Sequence, residues 1–287
     1  MTNVKCNLCG ALNFVADEVC KVCGAELQSE TPYRESAPPI GDDAPRPAFN
    51  IIRPFVSAGD VIGPTLSLFF KNIWMITKIV FVIVAPFEIF KTLSLRSMEA
   101  DPQLLFGITA LQLLCNALIV PALFYSLTQV METGNAPSLN EAYRWGLSKI
   151  PKLSLSAVMS WFLVAVGTLL CIIPGIILGL AFHVVYPVAV FEKGSAVDVL
   201  KRSYKLTEGY RLNIFSASIV IGIVGVLCSL PAWGLTMTLA MNRVNAVPLE
   251  VAAAICTDIV SEVATVFSLV VYLAILRTLE GGRSILE

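Results

Sequence analysis

Four cysteines near the start of the chain, in the stretch CNLCGALNFVADEVCKVCG, are spaced C-x2-C-x10-C-x2-C. Two such knuckles place Cys6, Cys9, Cys20 and Cys23 at the corners of a tetrahedron, the donor set of a structural Zn2+ site. Gly10 and Gly24 each follow a knuckle directly, where a residue without Cβ lets the backbone turn its N–H groups toward the sulfurs. Three further groups could do chemistry. His183, the single histidine, lies in an apolar run about 13 Å of helix from Glu192, deep enough to act as a proton or metal site or to pack as a hydrogen-bonded imidazole. Asp258 and Glu262 stand four apart in ICTDIVSEVA and so share a helix face. Each would cost about 2.5–3.5 kcal/mol if charged at a bilayer centre. Counted back from Arg277 they lie about 28 and 22 Å up the helix, which predicts an interfacial, solvated position.

The elements that must hold these groups are apolar. The chain of 287 residues is 56% hydrophobic and only 14% charged, with a mean hydropathy of +0.76. Between Lys152 and Glu192 no Asp, Glu, Lys or Arg occurs. At 1.5 Å per residue that run is roughly 58 Å of helix, about twice a bilayer core, so it must cross and return, with the turn expected at Ile173-Pro174-Gly175. Comparable runs lie at 102–131 and 212–242, with less pure ones at 73–90 and 251–276, and together they predict six spans. The expected fold is therefore an all-α polytopic membrane protein behind a small zinc ribbon.

The first thirty residues hold no apolar signal-peptide core, so the first span is expected to direct insertion itself. Basic residues fix its direction. With the N-terminus inside, Arg144, Lys149, Lys152, Lys193, Lys201, Arg202, Lys205, Arg211 and Arg277 are all cytoplasmic, while Lys91, Arg96 and Arg243 face out. The expectation is a multi-pass protein of the plasma (cytoplasmic, cell inner) membrane with both termini cytoplasmic.

The chain divides into a zinc ribbon at 1–28, a Pro-rich flexible linker at 29–56 and a membrane domain at 57–287. Within the last, segments from Ser57, Ser138 and Ser195 each open with Ser followed three residues later by an acid (Asp60, Glu141, Asp198), the pattern of a capping box. Each precedes two spans, which predicts three parallel units of interfacial helix, span, span. In the third, Val197, Leu200 and Tyr204 are expected on the face toward lipid and Lys201, Arg202 and Lys205 on another. Pro121 and Pro187 are expected to kink the second and fourth spans, and Glu88 to pair with Lys91. Cys115, Cys171, Cys228 and Cys256 read as small apolar residues.

The run PGIILGLAFHVVYPVAVFEKGSAVDVLKRSYKLTEGYRLNIF resembles the membrane domain fused to glycerophosphodiester phosphodiesterases and its stand-alone YciC-like relatives. The matching residues are Pro174, Gly175, Pro187, Glu192, Leu200, Arg202, Ser203, Leu206, Thr207 and Gly209, with Tyr272 and Glu280-Gly281 at the end. The usual Asp-Leu-Arg between them is replaced by Ala274-Ile275-Leu276, with Arg277 one place late. Over about 57–287 the resemblance implies a six-span bundle with cytoplasmic interfacial helices and no particular chemistry. The cysteine module resembles short bacterial zinc ribbons, and through Asn13 the Ran-binding-protein type of zinc finger. The tryptophan usual ahead of the first cysteine of that finger is missing, and Lys5 and Lys21 stand against Asp17, Glu18 and Glu26, which argues against nucleic acid and for a protein partner.

No H-E-x-x-H, G-x-S-x-G or Walker sequence occurs, so an enzyme is not expected. The sequence points to a non-catalytic scaffold or regulator among membrane lipids, using the tethered ribbon to dock a protein. The alternative is a small-solute or lipid transporter using His183, Asp258 and Glu262.

Overall fold

The computed structural model describes the backbone at residues 3–5, 12–14, 55–97, 102–241 and 246–281. Its contacts divide the chain into two units, Met1–Pro38 and Pro39–Glu287. In the first, β1 (Asn3–Lys5) and β2 (Leu12–Phe14) pair antiparallel, with Asn3 opposite Phe14, Val4 opposite Asn13 and Lys5 opposite Leu12. Cys6 and Cys9 stand between the two strands in sequence. All four N-terminal cysteines lie outside the described residues.

The second unit is helical: α1 (Gly59–Lys71), α2 (Ile73–Ser97), α3 (Pro102–Thr133), α4 (Leu139–Leu147), α5 (Ile150–Leu170), α6 (Ile172–Ala181), α7 (Val185–Phe191), α8 (Ala196–Leu206), α9 (Arg211–Met241) and α10 (Val247–Gly281). Six stretches are long and apolar enough to cross a membrane, in α2, α3, α5, α6 with α7, α9 and α10. That is the number the uncharged runs predict, and it is compatible with a multi-pass membrane protein. The helices are not equivalent. Of the most apolar window, 72% is buried in α10 and 17% in α9, which makes α10 the axis of the bundle and α9 a peripheral helix. From Val266 to Leu276 nearly every α10 side chain is in the core, as expected of a helix surrounded by others.

The three short helices begin as their Ser-x-x-acid patterns suggest, to different degrees. At α8 the box is complete: Ser195 Oγ accepts from Asp198 N at 3.3 Å, and Asp198 Oδ2 accepts from Ser195 N at 3.0 Å. At α4 Ser138 Oγ accepts from Glu141 N at 3.3 Å, but the Glu141 carboxylate takes the Tyr125 hydroxyl at 2.7 Å. At α1 only the return half forms, with Asp60 Oδ2 accepting from Ser57 N at 2.7 Å.

Two sequence expectations are corrected. The reversal between α5 and α6 falls at Cys171, whose backbone is extended, and not at Ile173-Pro174-Gly175, which lies in the first turn of α6. Proline is tolerated there because the first N–H groups of a helix have no intrahelical partner. Gly175 serves close approach instead: a Cβ on it would sit 2.7 Å from Thr168 Cα, and one on Gly167 would sit 3.3 Å from Gly175 Cα. The second correction concerns α8. Its buried stripe is Ala196, Val199, Leu200, Ser203 and Leu206, against α5 and α7, while Val197 and Tyr204 are exposed beside Lys201 and Lys205. Of the predicted apolar face, Leu200 is turned into the bundle while Val197 and Tyr204 are left exposed.

Candidate functional site

The fourth span is broken between α6 and α7, and the break explains the polar residues around it. Pro187 has no N–H to offer the carbonyl four residues back, which is that of His183. Val185 N bonds Phe182 O at 3.1 Å, which also frees the Ala181 carbonyl. In a membrane-spanning segment such carbonyls need partners from the protein. Ser268 Oγ on α10 donates to His183 O at 2.8 Å, and Ser203 Oγ on α8 and Thr207 Oγ1 at its C-terminal cap donate to Ala181 O at 2.9 and 3.1 Å. Proline therefore acts four residues before its own position, and two hydroxyls of the α8 signature close the gap. Gly209, just beyond α8, has φ +85, a left-handed conformation that favours glycine and turns the chain into α9.

At the end of α7 the chain buries a charge. Glu192 is 6% exposed. Its carboxylate accepts from Arg202 Nε at 3.2 Å and from the Tyr272 hydroxyl at 3.1 Å, and Lys152 Nζ donates to its main-chain oxygen. Arg202 is a member of this clasp, its side chain only 10% exposed, and does not belong to the exposed basic face with Lys201 and Lys205 predicted for it. Burial pushes the Glu192 carboxyl up from its ordinary value, with Arg202, Tyr272 and Lys152 pulling the other way. Phe191 stacks on Tyr272 at 6.1 Å and faces Phe124 and Trp145, so the ion pair is floored by aromatic rings. The clasp ties together α5, α7, α8 and α10. It holds no nucleophile with an adjacent base and suits positioning rather than bond chemistry.

His183 sits in the break. Its ring packs at a tilt against Phe267 with centroids 4.8 Å apart, and its Nε2 is buried with no hydrogen-bond partner among the described residues. Asp258 and Glu262 lie elsewhere on α10. Glu262 is 7% exposed, not solvated as predicted, and Asp258 is half-buried. α2 packs on α10 beside Asp258. Asp258 lies within electrostatic range of Glu88 and Lys91, and Glu262 within range of Asp258. Glu88 is fully buried and paired with Lys91, as predicted. One oxygen of Glu88 and one of Glu262, Oε2 in each, is buried with no hydrogen-bond partner among the described residues. Neither Asp258 nor Glu262 lines the cavities that border His183, and at 100° per residue Glu262 and Phe267 point about 140° apart on α10. Asp258 is brought within range of Glu88, and Glu262 within range of Asp258.

No group of three or more His, Cys, Asp or Glu able to hold a metal occurs among the described residues. Cys115 is half-buried and Cys171, Cys228 and Cys256 are exposed, all as free thiols. The functional grouping sequence reasoning did not assemble is Glu192 with Arg202, Tyr272 and Lys152. A signal for it exists, since three of the four are among the residues of the resemblance.

Residues 143–279, from α4 into α10, match a family model described as a domain of unknown function, DUF7847, and so are similar to that domain. The matched stretch takes in the whole clasp and the broken span. No curated protein and no solved structure matches the chain.

Proposed function

We propose that this chain is a non-catalytic integral membrane protein of the plasma membrane, with both termini cytoplasmic, that acts as a scaffold or regulator. Its Cys6, Cys9, Cys20 and Cys23 hold a structural Zn2+, and the ribbon so formed docks a cytoplasmic or membrane protein. The observation that carries this reading is the antiparallel pairing of Asn3–Lys5 with Leu12–Phe14, two strands between which the sequence carries Cys6 and Cys9. The separation of Met1–Pro38 as its own contact unit supports a module distinct from the bundle. So short a module has little core of its own, and zinc supplies its folding free energy. A tether at 29–56, with a reach of roughly 30 Å, raises the effective concentration of a captured partner. The reading includes three parallel units of the YciC-like kind, supported by α1, α4 and α8 each preceding two apolar stretches.

The test is affinity purification with mass spectrometry on the detergent-extracted full chain, with zinc measured by atomic absorption, against Cys6→Ser plus Cys9→Ser. One zinc per chain and a partner set, both lost in a variant of unchanged helical content, are expected. A chain without zinc, or the same partners in both samples, overturns the reading.

A second reading, a small-solute or lipid transporter using Asp258, Glu262 and His183, is favoured by the unpartnered Oε2 atoms of Glu88 and Glu262 at the α2–α10 seam. Substrate-dependent proton flux in vesicles that survives Asp258→Asn plus Glu262→Gln would remove its main residues.

A further inference from the structure

The outward side of α8 lies opposite its buried stripe. At 100° per residue Val197, Lys201, Tyr204 and Lys205 fall within an arc of about 100°, and all four are exposed. Two apolar side chains and two cations thus share one surface. Asp198 borders the arc within electrostatic range of Lys201, but its Oδ2 is committed to the Ser195 cap, accepting from Ser195 N at 3.0 Å and Ser195 Oγ at 2.6 Å. From Glu192 to Arg211 the clasp pairs Glu192 with Arg202, which leaves four cations (Lys193, Lys201, Lys205 and Arg211) against two carboxylates (Asp198 and Glu208). The corner is cationic.

Arg211 joins this surface to α9. Its guanidinium carbon stands 4.3 Å from the centroid of the Tyr204 ring, and its Nη2 donates to Tyr204 O at 3.3 Å. The two contacts hold the first residue of α9 against the outer face of α8, so little of its side-chain freedom remains to be lost when an anion arrives. Immediately beyond it the charge ends, with no Asp, Glu, Lys or Arg before Arg243. The apolar stretch that starts at Arg211 is the least buried of the six, at 17%. Leu212, Phe215, Ile219 and Val226 are exposed on it and, at 100° per residue, fall within an arc of about 60°. A cationic corner therefore stands directly at the end of an apolar strip that in a bilayer is turned to lipid.

We propose that the α8–α9 corner binds an anionic membrane phospholipid, with its phosphate at Lys201, Lys205 and Arg211 and an acyl chain along Leu212, Phe215, Ile219 and Val226. The order of the surface matches the order of the ligand, head then chain. A zwitterionic head brings its own cation and cancels most of the attraction, whereas an anionic head keeps its charge for these three side chains. Val197 and Tyr204 supply apolar contact beside the lysines, as on helices that lie at a membrane surface. Arg202 takes no part, because the clasp holds it inside. The site makes no use of the zinc ribbon, and its failure would leave the docking reading untouched.

The test places the full chain in phosphatidylcholine vesicles with a trace of phosphatidylglycerol that carries a diazirine in one acyl chain, and maps photolabelled peptides by mass spectrometry. Enriched labelling of residues 212–226 over the exposed apolar residues of α5 is expected, falling at least about fivefold in Lys201→Gln plus Lys205→Gln and in Arg211→Gln. The two lysines are exposed, so the double variant serves even if loss of the half-buried Arg211 disturbs the fold. Arg144→Gln removes an exposed cation on α4 and should leave the labelling of α9 unchanged. A phosphatidylcholine probe with the same chain should show no enrichment, and excess inorganic phosphate should not displace the lipid, because it leaves the apolar strip uncovered. Labelling spread evenly over the lipid-facing helices, equal for phosphatidylcholine, abolished by inorganic phosphate, unchanged in the lysine variant, or lowered as much by Arg144→Gln overturns the proposal.

Discussion

Replacing Arg202 by Met tests the clasp directly. The Glu192 side chain is 4% exposed and that of Arg202 10%, so solvent screens the pair little. Removing the guanidinium leaves Glu192 accepting from Tyr272 and still held at its main-chain oxygen by Lys152, but without its charge partner. Breaking a buried pair from one side costs about 3–5 kcal/mol, whereas replacing both partners by groups of similar shape is often near neutral. Arg202→Met should therefore destabilise by about 3 kcal/mol or more, and Arg202→Met with Glu192→Gln should recover at least about 2 kcal/mol of it. The assay is denaturant unfolding in mild detergent followed by circular dichroism, run as a double-mutant cycle. A loss under about 1 kcal/mol for Arg202→Met, or a double variant equal to the sum of the singles, would refute the assignment of Arg202 to the interior.

Gly175→Val drives a side chain into Thr168 Cα and should cost about 1–3 kcal/mol in the same assay, while Gly179→Ala, whose Cβ meets nothing within 4 Å, should be neutral or stabilise by about 0.5–1 kcal/mol. Tyr143 on α4 donates its hydroxyl to Ile79 O, and burial pushes its pKa up from 10.0 to about 12. Between those values the native state keeps a proton that the unfolded state loses, so stability falls as pH rises from 10 toward 12. The difference between wild type and Tyr143→Phe across that window should show this fall, and a flat difference would contradict it.

The elements were legible where one periodicity dominates. Uncharged runs long enough for a bilayer core revealed six apolar stretches, and Ser195 with Asp198 announced the start of α8, because both signals are local. The face of α8 was not, since Ser203 is polar yet buried, and what buries it is an Ala181 carbonyl 22 residues away. Pro187 signalled a defect in the fourth span but not its location, because proline acts through the carbonyl four residues earlier.

Sequence by itself determined the apolar composition, the cysteine spacing and the places where charge is rare, which follow from side-chain type and order alone. Tertiary structure decided which rare polar groups meet. Glu192 reaches Arg202 and Tyr272 because α7, α8 and α10 meet there, and Asp258 comes within range of Glu88 because α2 packs on α10. His183 stays apart on another face of the same helix. A buried polar group takes its role from the partner that three-dimensional packing supplies, and no spacing along one helix specifies what stands across from it.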